Sequence, residues 1–296
     1  MGKKILIFMS VLTLSLFALS TLGNAVEKAE YAGTETCKGC HEEYYGAFAK
    51  STHGKKAVPD SPANRDGCES CHGPGAEHSG KGGGKGVAIF AFGRGTDPSA
   101  KASKCLACHG DTKHLASWDI GRHKTMGVSC DKCHSIHGAK AKEPEVCYTC
   151  HKYIRTQQNK QSHHPVKEGR IKCSNCHEVH GTFGPRMVKA DSITDLCFKC
   201  HAEKRGPFAF EHPPVSENCL ICHEIHGSNH SKLLVRKVPF LCQSCHTRTG
   251  HPGRPATNFH SFGGPATQQK NRFFARSCLN CHGNIHGSSL SPDFDR

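Results

Sequence analysis

Beyond its first twenty-five residues the chain has no long apolar run. The longest, Val87 to Phe92, is about six residues, against roughly 20 for a membrane-spanning helix. A transmembrane helix in the mature chain is therefore not expected. Aromatic residues are 7 % and hydrophobic residues 36 % of the 296, and the hydrophobic share includes the cysteines and the leader. That is too little for an ordinary hydrophobic core. Acidic residues are also short, 25 against 39 Lys and Arg, for a formal charge of +14. A basic chain invites a nucleic-acid reading, but no stripe of aromatic and basic residues accompanies the charge, and no nucleic-acid partner is expected. Finally, no cysteine is left over from a single motif, which excludes a free reactive thiol.

That motif is Cys-x-x-Cys-His, and ten copies use all twenty cysteines. The pairs are Cys37 and Cys40, Cys68 and Cys71, Cys105 and Cys108, Cys130 and Cys133, Cys147 and Cys150, Cys173 and Cys176, Cys197 and Cys200, Cys219 and Cys222, Cys242 and Cys245, and Cys278 and Cys281. The histidines that follow them are His41, His72, His109, His134, His151, His177, His201, His223, His246 and His282. The spacing predicts covalent c-type haem attachment. Two thiols make thioethers to the haem vinyl groups, and the histidine ligates iron from one face. Zinc sites and disulfide frameworks need no histidine after every pair. Ten covalently bound haem c groups are expected.

The leader fits. Lys3 and Lys4 precede an apolar run from Ile5 to Leu19, and Gly23-Asn24-Ala25 reads as a small-residue cleavage site. We expect residues 1–25 to be a signal peptide and 26–296 the mature protein, exported to the bacterial periplasm or beyond, where c-type haem is attached. The mature chain gives each haem about 27 residues, so the haems must pack on one another. The expected fold is a multihaem cytochrome c, elongated, with short helices and irregular loops around a stacked ten-haem chain and little or no β-sheet. Gly82-Gly83-Gly84, Pro213-Pro214 and Gly263-Gly264-Pro265 mark loops. A bis-histidine ferric haem with its propionates carries about −1. Ten of them offset most of the positive surplus, with Lys and Arg pairing with propionates.

Of 24 histidines, fourteen do not follow a cysteine pair, and a six-coordinate haem needs a second ligand. His78, His137, His180, His226 and His286 trail the even-numbered motifs, three of them in the near-identical strings CHSIHG, CHEVHG and CHEIHG. His53, His123, His164, His212 and His251 each stand between an odd motif and the next even one. The mature chain thus resolves into five two-haem units, at about 37–78, 105–137, 147–180, 197–226 and 242–286. Three residues span at most about 10–11 Å, less than two histidines need across one iron, roughly 12 Å between Cα atoms. A trailing histidine should therefore serve a neighbouring haem. His114, His163, His230 and His260 are left as surface or propionate-pairing residues, although His163 adjoins His164 and could replace it. Met126 and Met187, the only methionines beyond the leader, are expected to pack.

From Cys197 the chain reads CFKCHAEKRGPFAFEHPPVSENCLICHEIHGS. This string, with SHHPVKEGRIKCSNCHEVHG, LCQSCHTRTGH and RSCLNCHGNIHGS, closely resembles periplasmic decahaem cytochromes of the MtrA/DmsE/PioA type. The resemblance covers essentially the whole mature chain and all ten motifs in order. The ten non-motif histidines selected above match that family's distal ligands. The segment after Cys242 looks shorter than in the family and differs in composition around Asn258 to Gln269. The family implies a thin rod of haems that enters an outer-membrane β-barrel porin and carries electrons across the membrane. Its expected partners are the barrel, a periplasmic or inner-membrane cytochrome and an outer-surface multihaem cytochrome.

No CxxCK motif occurs, and ten candidate distal ligands leave no iron that must stay open, so an electron carrier is expected rather than an enzyme. Ten haems at roughly 10 Å per step would outrun a bilayer of about 40–45 Å. A polar chain that crosses it needs a closed sheath. The alternatives are a soluble periplasmic carrier that feeds a terminal reductase and, less favoured, a multihaem reductase with one open haem. The direction of electron flow is not encoded in the motifs.

Overall fold

The computed structural model describes residues 29–138, 142–246 and 277–295. The expected signal peptide, His251, His260 and the Gly263-Gly264-Pro265 loop lie outside them.

Each motif folds into one turn of helix. The histidine N–H donates to the carbonyl of the first cysteine, at 2.9 Å from His41 to Cys37, 2.8 Å from His134 to Cys130 and 3.0 Å from His223 to Cys219. An i to i+4 bond gathers both sulfurs and the imidazole around one turn. The helices stay short. The longest among the described residues is Pro98–His109, 12 residues, which carries the third motif at its end. Asp97 caps it, accepting the Ala100 N–H at 2.7 Å, and Pro98 takes the first turn, where its missing N–H costs nothing. Helix Ile193–Phe198 starts likewise at Ser192, which accepts from the Asp195 N–H.

The described residues form no sheet. Backbone pairing is limited to isolated antiparallel bridges, Ser162 with Ser228, His177 with Val188, Phe210 with Ser288 and His223 with Leu234. The expected class therefore stands: a multihaem cytochrome of short helices and loops. No helix among the described residues is long and apolar enough to cross a membrane.

The protein core is as thin as the composition requires. Phe48, Ala102, Trp118, Tyr148, Val166 and Val188 are the buried hydrophobic residues, while Phe183 is 90 % and Leu290 88 % exposed. Residues 29–93 and 94–295 form two compact units. In the first, the buried Glu69, inside the second motif, accepts N–H bonds from Ala32 at 2.8 Å, Gly33 at 2.9 Å and Gly75 at 2.7 Å. That carboxylate pins residues 32 and 33 to the second attachment turn. In the second, the Ser162–Ser228 bridge ties the segment at 147–180 to that at 197–226, and the Phe210–Ser288 bridge ties 197–226 to the last one.

Candidate haem-binding sites

Within a two-motif segment the first cysteines meet. Cys147 hydrogen bonds with Cys173, an interaction that with burial drives the Cys147 thiol upward. Burial and then Cys219 push Cys197 up to about 12. Burial and then Cys278 push Cys242 to about 11, and burial and then Cys68 push Cys37 to about 11. Cys130 is instead lowered to about 7, chiefly by its bond with Cys105. Between segments the second cysteines approach, so that Cys150 acts on Cys133, Cys200 on Cys176 and Cys245 on Cys222. The attachment points therefore follow one another in chain order from the third motif to the tenth.

Histidines meet across sequence distances that the motifs do not advertise. A metal–imidazole bond of about 2.0 Å, plus about 1.1 Å from nitrogen to ring centre, puts two imidazoles on one iron with their centres about 6.2 Å apart. Seven ring pairs stand at that spacing. They are His41 with His78 at 6.4 Å, His151 with His123 at 6.2 Å and His134 with His180 at 6.1 Å. The others are His201 with His164 at 6.5 Å, His177 with His226 at 6.2 Å, His246 with His212 at 6.1 Å and His223 with His286 at 6.2 Å. Every pair joins one motif histidine to one predicted distal histidine. His53, His72, His109, His137 and His282 keep other contacts, and His251 lies outside the described residues.

The pairing has a rule in residues 94–295. A histidine between two motifs is given forward: His123 to the fifth motif, His164 to the seventh, His212 to the ninth. A trailing histidine is given backward, skipping a motif: His180 to the fourth, His226 to the sixth, His286 to the eighth. The segments at 147–180 and 197–226 thus each place one histidine against a motif of the segment before and one against a motif of the segment after.

Backbone carbonyls fix the rings. His123 Nδ1 bonds Val179 O at 3.0 Å, His164 Nδ1 bonds Ile225 O at 3.0 Å, and His212 bonds Ile285. These acceptors immediately precede the trailing histidines 180, 226 and 286. On the motif side, His177 Nδ1 bonds Arg186 O at 3.3 Å, His223 Nδ1 bonds Lys232 O at 2.9 Å and His282 Nδ1 bonds Asp293 O at 2.5 Å. In the first unit His72 Nδ1 bonds Phe90 O at 2.9 Å and His78 Nδ1 bonds Val87 O at 2.8 Å. A proton held at Nδ1 leaves Nε2 as the ligand atom and sets the ring plane. Burial, above all, holds His177, His180, His212, His226 and His286 below their ordinary range, in the neutral form that binds iron.

The residues fit haem c: cysteine pairs on helical turns, imidazoles spaced for one iron, and buried donors that lack a protein acceptor. Trp118 Nε1 and Tyr148 Oη are buried without a hydrogen-bond partner among the described residues, as expected where a haem carboxylate or water completes the site.

His163 is placed elsewhere. Its Nδ1 meets Lys160 O at 2.7 Å and its Nε2 meets Glu168 Oε1 at 3.0 Å, so neither nitrogen is left for iron. His164→Ala should therefore turn the haem at His201 high-spin, whereas His163→Ala should leave the electron paramagnetic resonance spectrum low-spin. The reverse result would reassign the ligand. His114 also approaches His180, at 5.8 Å and 49° between planes, but belongs to no motif. The anchoring carbonyls were not expected from the motifs. Their one sequence signal is the Val or Ile before each trailing histidine, at 179, 225 and 285.

Comparison with known proteins adds independent support. The doubled CXXCH motif family matches residues 163–206 and 212–251, and the cytochrome c-type protein NrfB-like family matches 68–143. Multiheme cytochrome MtrA of Shewanella baltica is 38 % identical over 91 % of this chain and 83 % of its own length. C-type polyheme cytochrome OmcB of Geobacter sulfurreducens is 26 % identical over the whole chain, which spans only 43 % of that relative.

Proposed function

The chain belongs to the MtrA family of multihaem c-type cytochromes, electron-transfer proteins, and from that premise we propose that it conducts electrons through ten bis-histidine haems across the outer membrane inside a β-barrel porin. Haem iron supplies one-electron redox chemistry. The protein's part is to place the groups and close them. Twenty cysteines tether them, the motif histidines ligate from one face, and the predicted distal set, His53, His78, His123, His137, His164, His180, His212, His226, His251 and His286, closes the other. Mature residues 26–296 act as five two-haem units. The carrying observation is the set of seven imidazole pairs, each joining separate parts of the chain at 6.1–6.5 Å.

Closed iron sites disfavour substrate turnover at the metal and favour outer-sphere transfer. Neighbouring attachment turns share cysteine contacts, which keeps successive haems close. On this reading the barrel supplies the closed sheath that a polar chain needs in lipid, and the leader proposed at 1–25 delivers the chain to the periplasm. The proposed partners are the barrel, a periplasmic or inner-membrane cytochrome and an outer-surface multihaem cytochrome.

Liposomes containing a redox dye test this. With cytochrome and barrel inserted together, an external reductant that cannot cross lipid bilayers should change the dye, and neither component alone should allow it. A cytochrome that never associates with a barrel, and leaves the dye unchanged, would show a soluble periplasmic carrier instead.

A further inference from the structure

Glu143 reaches from one attachment turn to the next. It precedes helix Glu145–Tyr148, which carries Cys147. Its Oε2 accepts the Ser174 N–H at 2.9 Å, from the residue that follows Cys173. A carboxylate oxygen of Glu143 and the sulfurs of Cys147 and Cys173 all stand within 4.8 Å of one another, and all three residues are half-buried. The carboxylate therefore lies at the seam where the first cysteines of the fifth and sixth motifs meet. The hydrogen bond explains an acceptor there but not its charge, because glutamine would accept the same N–H. No cation among the described residues is within ion-pair distance of Glu143.

The segments on either side treat this seam differently. In 105–137, Asp131 follows Cys130, but Lys101 meets it at 3.9 Å with a side chain only 3 % exposed. Lys101 lies one turn before Cys105, whose sulfur reaches its carbonyl at 3.9 Å. A buried cation thus offsets the acid between the third and fourth motifs. In 197–226, the Cys219 sulfur has the neutral Thr194 hydroxyl beside it, at 3.9 Å. Of these three segments, 147–180 is the one whose seam holds an acid with no cation to offset it among the described residues.

We infer that Glu143 tunes two haems at once: its charge, held beside the sulfurs that tether the fifth and sixth haems, keeps both at a lower reduction potential than a neutral residue would. A thioether joins each sulfur directly to a macrocycle, so an anion there stands at the edge of both. A nearby anion favours the oxidised, more positive iron, and half-burial leaves it less screened than a surface charge. The tuned pair lies in the third of five segments, so an electron is held less tightly at the midpoint of the chain than a neutral seam would hold it. The inference rests on haem attachment at these motifs as proposed above.

Glu143→Gln in the holoprotein removes the charge and keeps an acceptor for the Ser174 N–H. Intact mass and low-spin spectra check haem loading and ligation separately, so a failure of the haem assignment is distinguishable from a failure of the tuning. In a potentiometric titration two of the ten electrons should move to higher potential, while the other eight superimpose on wild type. Glu143→Asp keeps the charge and should lie closer to wild type than to Glu143→Gln. Thr194→Asp is an independent second test. It brings a carboxylate to the Cys219 sulfur and should move electrons the opposite way, to lower potential. A Glu143→Gln or Thr194→Asp titration that superimposes on wild type would overturn the inference. So would a Glu143→Gln shift confined to one electron, spread over all ten, or matched in size by Glu143→Asp.

Discussion

A chain that stops after residue 276 is expected to lose one haem but two low-spin irons. The truncation removes the tenth motif, Cys278, Cys281 and His282, and with it one covalent haem. It also removes His286, whose ring faces His223 at 6.2 Å, so the eighth motif keeps its haem and loses its sixth ligand. Intact mass should fall by one haem beyond the missing residues, and electron paramagnetic resonance should show one new high-spin ferric signal. His286→Ala isolates the effect in the full chain. All haems should remain attached, one should become high-spin, and that one should bind carbon monoxide. A truncated chain with low-spin signals alone would mean that each distal ligand comes from within its own unit.

Gly227→Ala should cost about 3 kcal/mol, combining overpacking with a left-handed strain. Gly227 has φ +153°, and a Cβ there would lie 1.9 Å from Gln157 O. It sits between the proposed ligand His226 and Ser228, which bridges to Ser162. The backbone of one segment is pressed there against the preceding one. Gly181 repeats the arrangement, with Ser117 O 2.0 Å from its Cβ position. The thermal midpoint of Gly227→Ala should fall by about 6–10 °C, with a high-spin signal growing as His226 is displaced. Gly46→Ala is the control. It lies in helix Glu42–Lys50 with nothing within 4 Å of its Cβ position, and should be neutral or slightly stabilising. A Gly227→Ala protein as stable as wild type would show that the close contact is not required.

The fold class was legible because CxxCH is local. Five consecutive residues make a helical turn, and a chain poor in apolar residues can only wrap its cofactors. Seven of the histidines that the repeat singles out stand opposite motif histidines at 6.1–6.5 Å, and the contacts of the His163 ring favour His164 as the proposed ligand. Which motif each one meets was not legible. His180 lies three residues from His177, yet its ring stands against His134, because a segment too short to span its own iron can reach back along the stack. The carbonyls at 179, 225 and 285 were hidden for a different reason: backbone acceptors have no residue type. The left-handed backbone at Arg186 and Lys232, φ +53° and +60°, has no sequence signal, since φ is written in the sequence only when glycine records it.

The proposed exchange of ligands between successive segments also bears on how such a chain can change length over evolutionary time. A duplicated two-motif segment inserted among its copies would receive one histidine from each side and give one to each side, and the register would heal without any new residue. A duplicated single motif would strand an iron. In the first segment His41 and His78 instead face each other. Descent by duplication should therefore add or remove haems two at a time, from the interior.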